Sequence, residues 1–243
     1  MELFSACVEM RVLVTYVFHE LNNRVKYFID NAIFEDTNID FLLVINNPTL
    51  KIDIPSHVKV INRENIGIDF GGWSEGLLTN NLYKNYTHFI FANSSIKGPY
   101  LSHDFTGKWT DIFIDGLRDN IKLFGPTINT CRDPLHRSHV QSYLFSMNLE
   151  TLEYLISKEI FSLTKIITNK DQVIWEREIG MSQLVIKNGW NIGCLMKQYN
   201  DIDFTFRTNN KSIQYLDDIM YPQYINPKEY SNYIFIKGNR FSM

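Results

Sequence analysis

Between Arg11 and Ala92 the chain alternates short, unbroken apolar runs with stretches of helical period. Arg11–Phe18 (RVLVTYVF), Phe41–Ile45 (FLLVI), Val58–Ile61 and His88–Ala92 (HFIFA) are rich in β-branched and aromatic residues, which predicts four strands. His19–Ile33 places Leu21, Val25, Phe28, Ile29 and Ala32 at the spacing of one helix face. Gly67, Gly71 and Gly72 punctuate a turn, and a second helix is expected from about Trp73 to Leu78. The order is therefore β-α-β-β-α-β. Its strands are continuously apolar rather than alternating, so both their faces are covered, as in a mostly parallel central sheet flanked by helices.

The second half continues in kind. Asp111–Leu117, Leu149–Ile156 and Met181–Lys187 read as helices, Lys122–Phe124 and Tyr143–Met147 as strands, and Gly189 sits where a helix ends. With no repeat, low-complexity tract or linker, the expectation is one α/β domain over residues 1–243. Ligands of such sheets lie at the carboxyl ends of the strands. That singles out Tyr16–Glu20, Asn46–Pro48, Asn62–Trp73 and Asn93–Gly98.

Composition narrows the function. A hydrophobic content of 44% and a charged content of 21% suit a globular core, and a net charge of −3 leaves no basic footprint for nucleic acid. Cys7, Cys131 and Cys194 are scattered and form neither a disulfide framework nor a zinc motif. No apolar run is long enough for a membrane span and no leader pattern precedes Val12, so a cytoplasmic location is expected, the host cytoplasm if the source is viral.

Asn62–Trp73 is the best ligand cradle. Glycines allow close backbone approach, a helix start favours an anion, and Asp69 is a carboxylate beside them. The loop is neither G-x-G-x-x-G nor a P-loop, which removes support from dinucleotide and ATP-cleaving readings. Asn65, Gly67 and Asp69 are also favoured turn residues, so a purely structural loop stands beside the ligand reading. Tyr16 ends the first strand, where its ring could lie against a base or, equally, in the core.

RENIGIDFGGW from Arg63 to Trp73 and FIFANSSIKGP from Phe89 to Pro99 occur together with LFGPTIN from Leu123, HVQS from His139, PKE from Pro227 and FIKGNR from Phe235. In this order and spacing they resemble the rhamnan-synthesis-type and related surface-polysaccharide glycosyltransferases, from about Val14 to Arg240. The resemblance implies a GT-A-like fold, with residues 1–100 binding a UDP-, GDP- or dTDP-sugar and residues 101–243 binding a glycan or glycoprotein acceptor. It implies that Asp69 accepts hydrogen bonds from base or ribose and that Asn65 organises the loop. Gly71, Gly72, Asn93, Ser94 and Ser95 would complete the donor site, with Lys237 and Arg240 against the diphosphate.

Most GT-A enzymes hold Mn²⁺ or Mg²⁺ on an Asp-x-Asp pair after the fourth strand, and here Asn93-Ser94-Ser95 stands instead. Neutral oxygens bind a dication much more weakly, so no metal ligands are assigned. Inverting transfer needs a base for the attacking hydroxyl. The resemblance places Glu178 there, with Glu176 and Asp171 as alternatives, while a carboxylate at a helix start also simply favours the macrodipole. His139 and Gln141 are expected to line the acceptor cleft. Two rivals remain: a nucleotide- or sugar-binding protein without turnover, and a sugar nucleotidyltransferase. The latter is disfavoured because Tyr16–Asn23 contains no glycine.

Overall fold

All seven residues of Val12–Phe18 (β1) are buried, and so are all but Asp40 of Ile39–Ile45 (β2). The computed structural model describes residues 9–130, 137–205 and 225–238. Lys59–Asn62 (β3) lies beside β2 at one edge, and His88–Asn93 (β4) lies on the other side of β1. Beyond β4 come Leu144–Asn148, Ile121–Gly125 and Asn191–Cys194. Numbering also the two-residue strands Ile96–Lys97 (β5), Ile128–Asn129 (β7) and His139–Val140 (β8), these three are β9, β6 and β10. The sheet order is β3-β2-β1-β4-β9-β6-β10. The β1/β2, β2/β3, β1/β4 and β6/β10 pairs are parallel, whereas β9 runs against both β4 and β6. This is the mostly parallel, helix-flanked α/β sheet expected from the apolar runs, arranged as one continuous seven-stranded sheet.

The helices depart from expectation at their starts. Asn23–Ala32 (α1) begins at Asn23 because the Asn22 side chain accepts from the N–H groups of Arg24 and Val25. Ile68–Leu78 (α2) begins ahead of Trp73 and takes Gly71 and Gly72 into its body. A Cβ on Gly71 would stand 2.1 Å from the Ile66 carbonyl oxygen, and one on Gly72 3.0 Å from Val17. These glycines let the helix close onto its own loop and onto β1. Trp109–Asp115 (α3) and Leu149–Ser157 (α4) also pack on the sheet.

Lys170–Val173 (α5), capped by Asn169, passes through a π-helical segment at Ile174–Ile179 into Gly180–Lys187 (α6). Glu178 is therefore in the body of a helical stretch rather than at its start, which removes the macrodipole explanation for it. The C-terminal strand Ile236–Lys237 (β11) pairs antiparallel with β5. Phe235 just before it is wholly buried, its ring 4.9 Å from that of Trp109 and 6.2 Å from Phe28 and Phe113.

Candidate active site

Strand order reverses between β1 and β4, and in open α/β sheets the crevice at the carboxyl ends of two such strands is the usual ligand position. The loop after β3 is tied down beside it. Arg63 donates to Asn46 Oδ1 (2.7 Å) and the Ile66 carbonyl (2.8 Å) and pairs with Glu75 (2.7 Å). Asn46 Nδ2 donates in turn to Asn65 Oδ1 (3.2 Å) and the Ile68 carbonyl (3.0 Å). Asn65 thus belongs to the framework that shapes the loop, and the space beside Gly71 and Gly72 is filled by the chain itself.

On the first turn of α2, Asp69 is half-buried and accepts a 2.9 Å hydrogen bond from Asn93 Nδ2. Glu178 arrives from the π-helical segment and accepts the Ser142 backbone N–H at 2.7 Å. Burial pushes the Asp69 carboxyl up to about 7; the Asn93 hydrogen bond opposes this, the Glu178 charge adds to it, and Lys170 opposes it. Three residues from separate parts of the sequence (Asp69, Asn93 and Glu178) are therefore brought to one place. Ser142 joins them through its main chain, and its carbonyl lies 3.5 Å from Asn93 Nδ2.

Asn93 also decides the fit of a metal. Its Oδ1 accepts from Ser95 N (3.0 Å) and from the Ser95 hydroxyl, while its Nδ2 points at Asp69. The Asn93-Ser94-Ser95 turn thus closes on itself, and its geometry does not fit a dication held as on Asp-x-Asp. Among the described residues no cluster of three or more His, Cys, Asp or Glu side chains is placed to bind a metal.

The other expected residues are distributed unevenly. Tyr16 is wholly buried with its ring stacked on Phe28 at 4.0 Å, so it presents no ring face for a base to cover. Its burial pushes the phenol well above its ordinary range, opposed by Arg24 and reinforced by Asp69. Lys237, half-buried in β11, lies opposite Ile96, a short step beyond Ser94 and Ser95. Arg240 lies outside the described residues, as do Cys7 and Cys131. His139 and Gln141 are only 4% and 3% exposed. His139 Nδ1 is 2.6 Å from the Arg137 carbonyl, and Gln141 accepts from the Thr127 hydroxyl at 2.9 Å, so both are engaged with the protein's own groups. Arg24 and Ser142 were not singled out by the sequence. Arg24 Nε donates to the Ser94 carbonyl at 3.1 Å.

No curated protein matches the chain. Among solved structures, A197 from STIV matches with 9% identity and a TM-score of 0.32, covering 59% of this chain and 68% of that one. No helix among the described residues is long and apolar enough to cross a membrane. The family model for rhamnan synthesis protein F matches residues 16–224, most of the chain and the whole stretch that carries the crevice from Tyr16 to Glu178. The chain belongs to the rhamnan synthesis protein F family.

Proposed function

We propose that this protein is a glycosyltransferase of polysaccharide synthesis that moves a sugar from a nucleoside-diphosphate donor to a glycan or glycoprotein hydroxyl with inversion. The observation that carries the reading is the convergence of Asp69, Asn93 and Glu178 at the carboxyl ends of β1 and β4. Family membership supports the reaction class. The first part of the chain supplies the donor contacts and the second part the base.

In this mechanism Asp69 and the Arg63–Asn46–Asn65 framework hold the nucleoside. The acceptor oxygen attacks the anomeric carbon as the bond from that carbon to the diphosphate oxygen breaks, and the electron pair leaves with the diphosphate. Glu178 takes the hydroxyl proton. The Ser142 N–H fixes one of its oxygens, and the other has no hydrogen-bond partner among the described residues, so it is open to an acceptor.

Glu178→Gln keeps size and reach but cannot accept a proton. Donor affinity should survive while turnover falls roughly 10²–10⁴-fold, the usual worth of general-base catalysis. The assay is transfer from labelled UDP-, GDP- and dTDP-sugars, with product stereochemistry by NMR. Undiminished transfer in a folded Glu178→Gln would overturn the base assignment. Nucleotide binding without transfer to any acceptor would favour a binding protein instead.

A further inference from the structure

Among the described residues a buried polar atom near the end of β1 lacks a partner, and beside it lies a cation lacking a counter-ion. The Tyr16 hydroxyl belongs to a wholly buried side chain and makes no hydrogen bond among the described residues. A buried donor left unsatisfied costs free energy, so such an atom in a native fold calls for a ligand or a function. Arg24 and Phe28 share one face of α1, four residues apart. Phe28 stacks on the Tyr16 ring, and this puts Arg24 one turn nearer the carboxyl end of β1. Its Nε is tethered to the Ser94 carbonyl, and Gly238 packs so tightly that a Cβ there would lie 2.9 Å from Arg24 Cδ. Among the described residues the terminal nitrogens of Arg24 make no hydrogen bond or ion pair.

A cation in the first turn of a helix is opposed by the positive end of the macrodipole, unless an anion is bound there. Lys97 and Lys237, on the β5/β11 pair, add positive charge beside Ser94. The Asn93-Ser94-Ser95 turn, meanwhile, does not fit a dication. A guanidinium tethered through Nε keeps two nitrogens for the paired oxygens of a phosphate.

We propose that Arg24 and the Tyr16 hydroxyl form a diphosphate-binding site at the carboxyl ends of β1 and β4, the guanidinium serving where Asp-x-Asp enzymes use a divalent cation. That the diphosphate belongs to a nucleotide sugar rests on the transferase reading above; that this place binds diphosphate does not.

The test is calorimetric titration of the EDTA-treated chain with inorganic pyrophosphate, with UDP, GDP and dTDP, and with the matching monophosphates. The wild type should bind pyrophosphate and at least one nucleoside diphosphate without metal. Arg24→Met should weaken diphosphate binding roughly ten- to a hundredfold, the worth of a charge-assisted hydrogen bond, and monophosphate binding less. Tyr16→Phe should weaken it about tenfold, and Arg24→Lys should lie between Arg24→Met and wild type. Thermal melts identify any variant that fails to fold, and Arg24→Lys carries the comparison if Arg24→Met does. Wild-type affinity in both Arg24 variants, or pyrophosphate binding only with Mn²⁺, would overturn the site. Sugar transfer at full rate in Arg24→Met would sink this site and leave the transferase reading standing. Arg24-dependent pyrophosphate binding with no transfer from any donor would do the reverse.

Discussion

Asp69 faces Asn93, Glu178 and Lys170, and its environment holds its proton to about 7, against an ordinary value of 3.8. An acid that binds its proton more tightly folded than unfolded stabilises the fold while protonated. That stability is lost as pH rises from about 4 to about 7, at up to about 1.4 kcal/mol per pH unit. Asp69→Asn removes the titration. Its melting temperature should therefore gain on the wild type as pH rises through that window, and curves that stay parallel from pH 4 to pH 8 would refute the shift. Asp69 and Asn93 could be picked out beforehand because a glycine loop and a strand end mark them, and Glu178 because the family resemblance implies a base there. Ser142 could not, since it acts through a backbone N–H that any residue type carries. Arg24 could not either, because a lone arginine near a helix start reads as a solvated cation until its tether to Ser94 is seen. Tyr16 was singled out for its ring, yet Phe28 covers that ring, and what the structure leaves without a partner among the described residues is its buried hydroxyl.

Among the elements, the strands were the most legible, because runs such as FLLVI admit little but burial on both faces. Helix starts were less so. Glycines 71 and 72 read as turn punctuation, but they serve the close approach of α2 to its loop and to β1. Asn191–Cys194 escaped notice as a strand because it is short and interrupted by Gly193, whose missing side chain leaves room for Phe124 and Ile121. The π-helical segment has no sequence signature, so Glu178 was expected at a helix start it does not occupy. The packing role of the glycines predicts opposite outcomes at two sites. Gly71→Ala would set its methyl against a backbone carbonyl that Arg63 also holds, and should cost about 1–3 kcal/mol. Gly180→Ala meets nothing closer than 3.5 Å in a helical conformation (φ −56°), and should gain about 0.5–1 kcal/mol. Urea midpoints measure both, and shifts of the same sign would contradict this account.

For the whole molecule, the apolar strands announced a mostly parallel sheet, whereas its order and the reversal of β9 depend on pairings between distant residues that no local pattern encodes. The C-terminal strand is the clearest case of such long-range organisation. β11 is two residues long and too short to hold itself in place by hydrogen bonds, yet it sets Lys237 beside the end of β4. What anchors it is Phe235, wholly buried against Phe28 of α1 and Trp109 and Phe113 of α3. Phe28 is also the ring that stacks on Tyr16, so the tail, the first helix and the crevice share one packed cluster. Phe235→Ala should therefore cost about 3–5 kcal/mol, as for other fully buried aromatics, and the loss should be global. Urea unfolding followed by tryptophan fluorescence, to which the neighbouring Trp109 contributes, and by far-UV circular dichroism should give coincident transitions at a lowered midpoint. If the tail were an appendage, the variant would unfold near the wild-type midpoint, or fluorescence would change well before the helical signal. Either result would separate β11 from the core and withdraw Lys237 from the crevice.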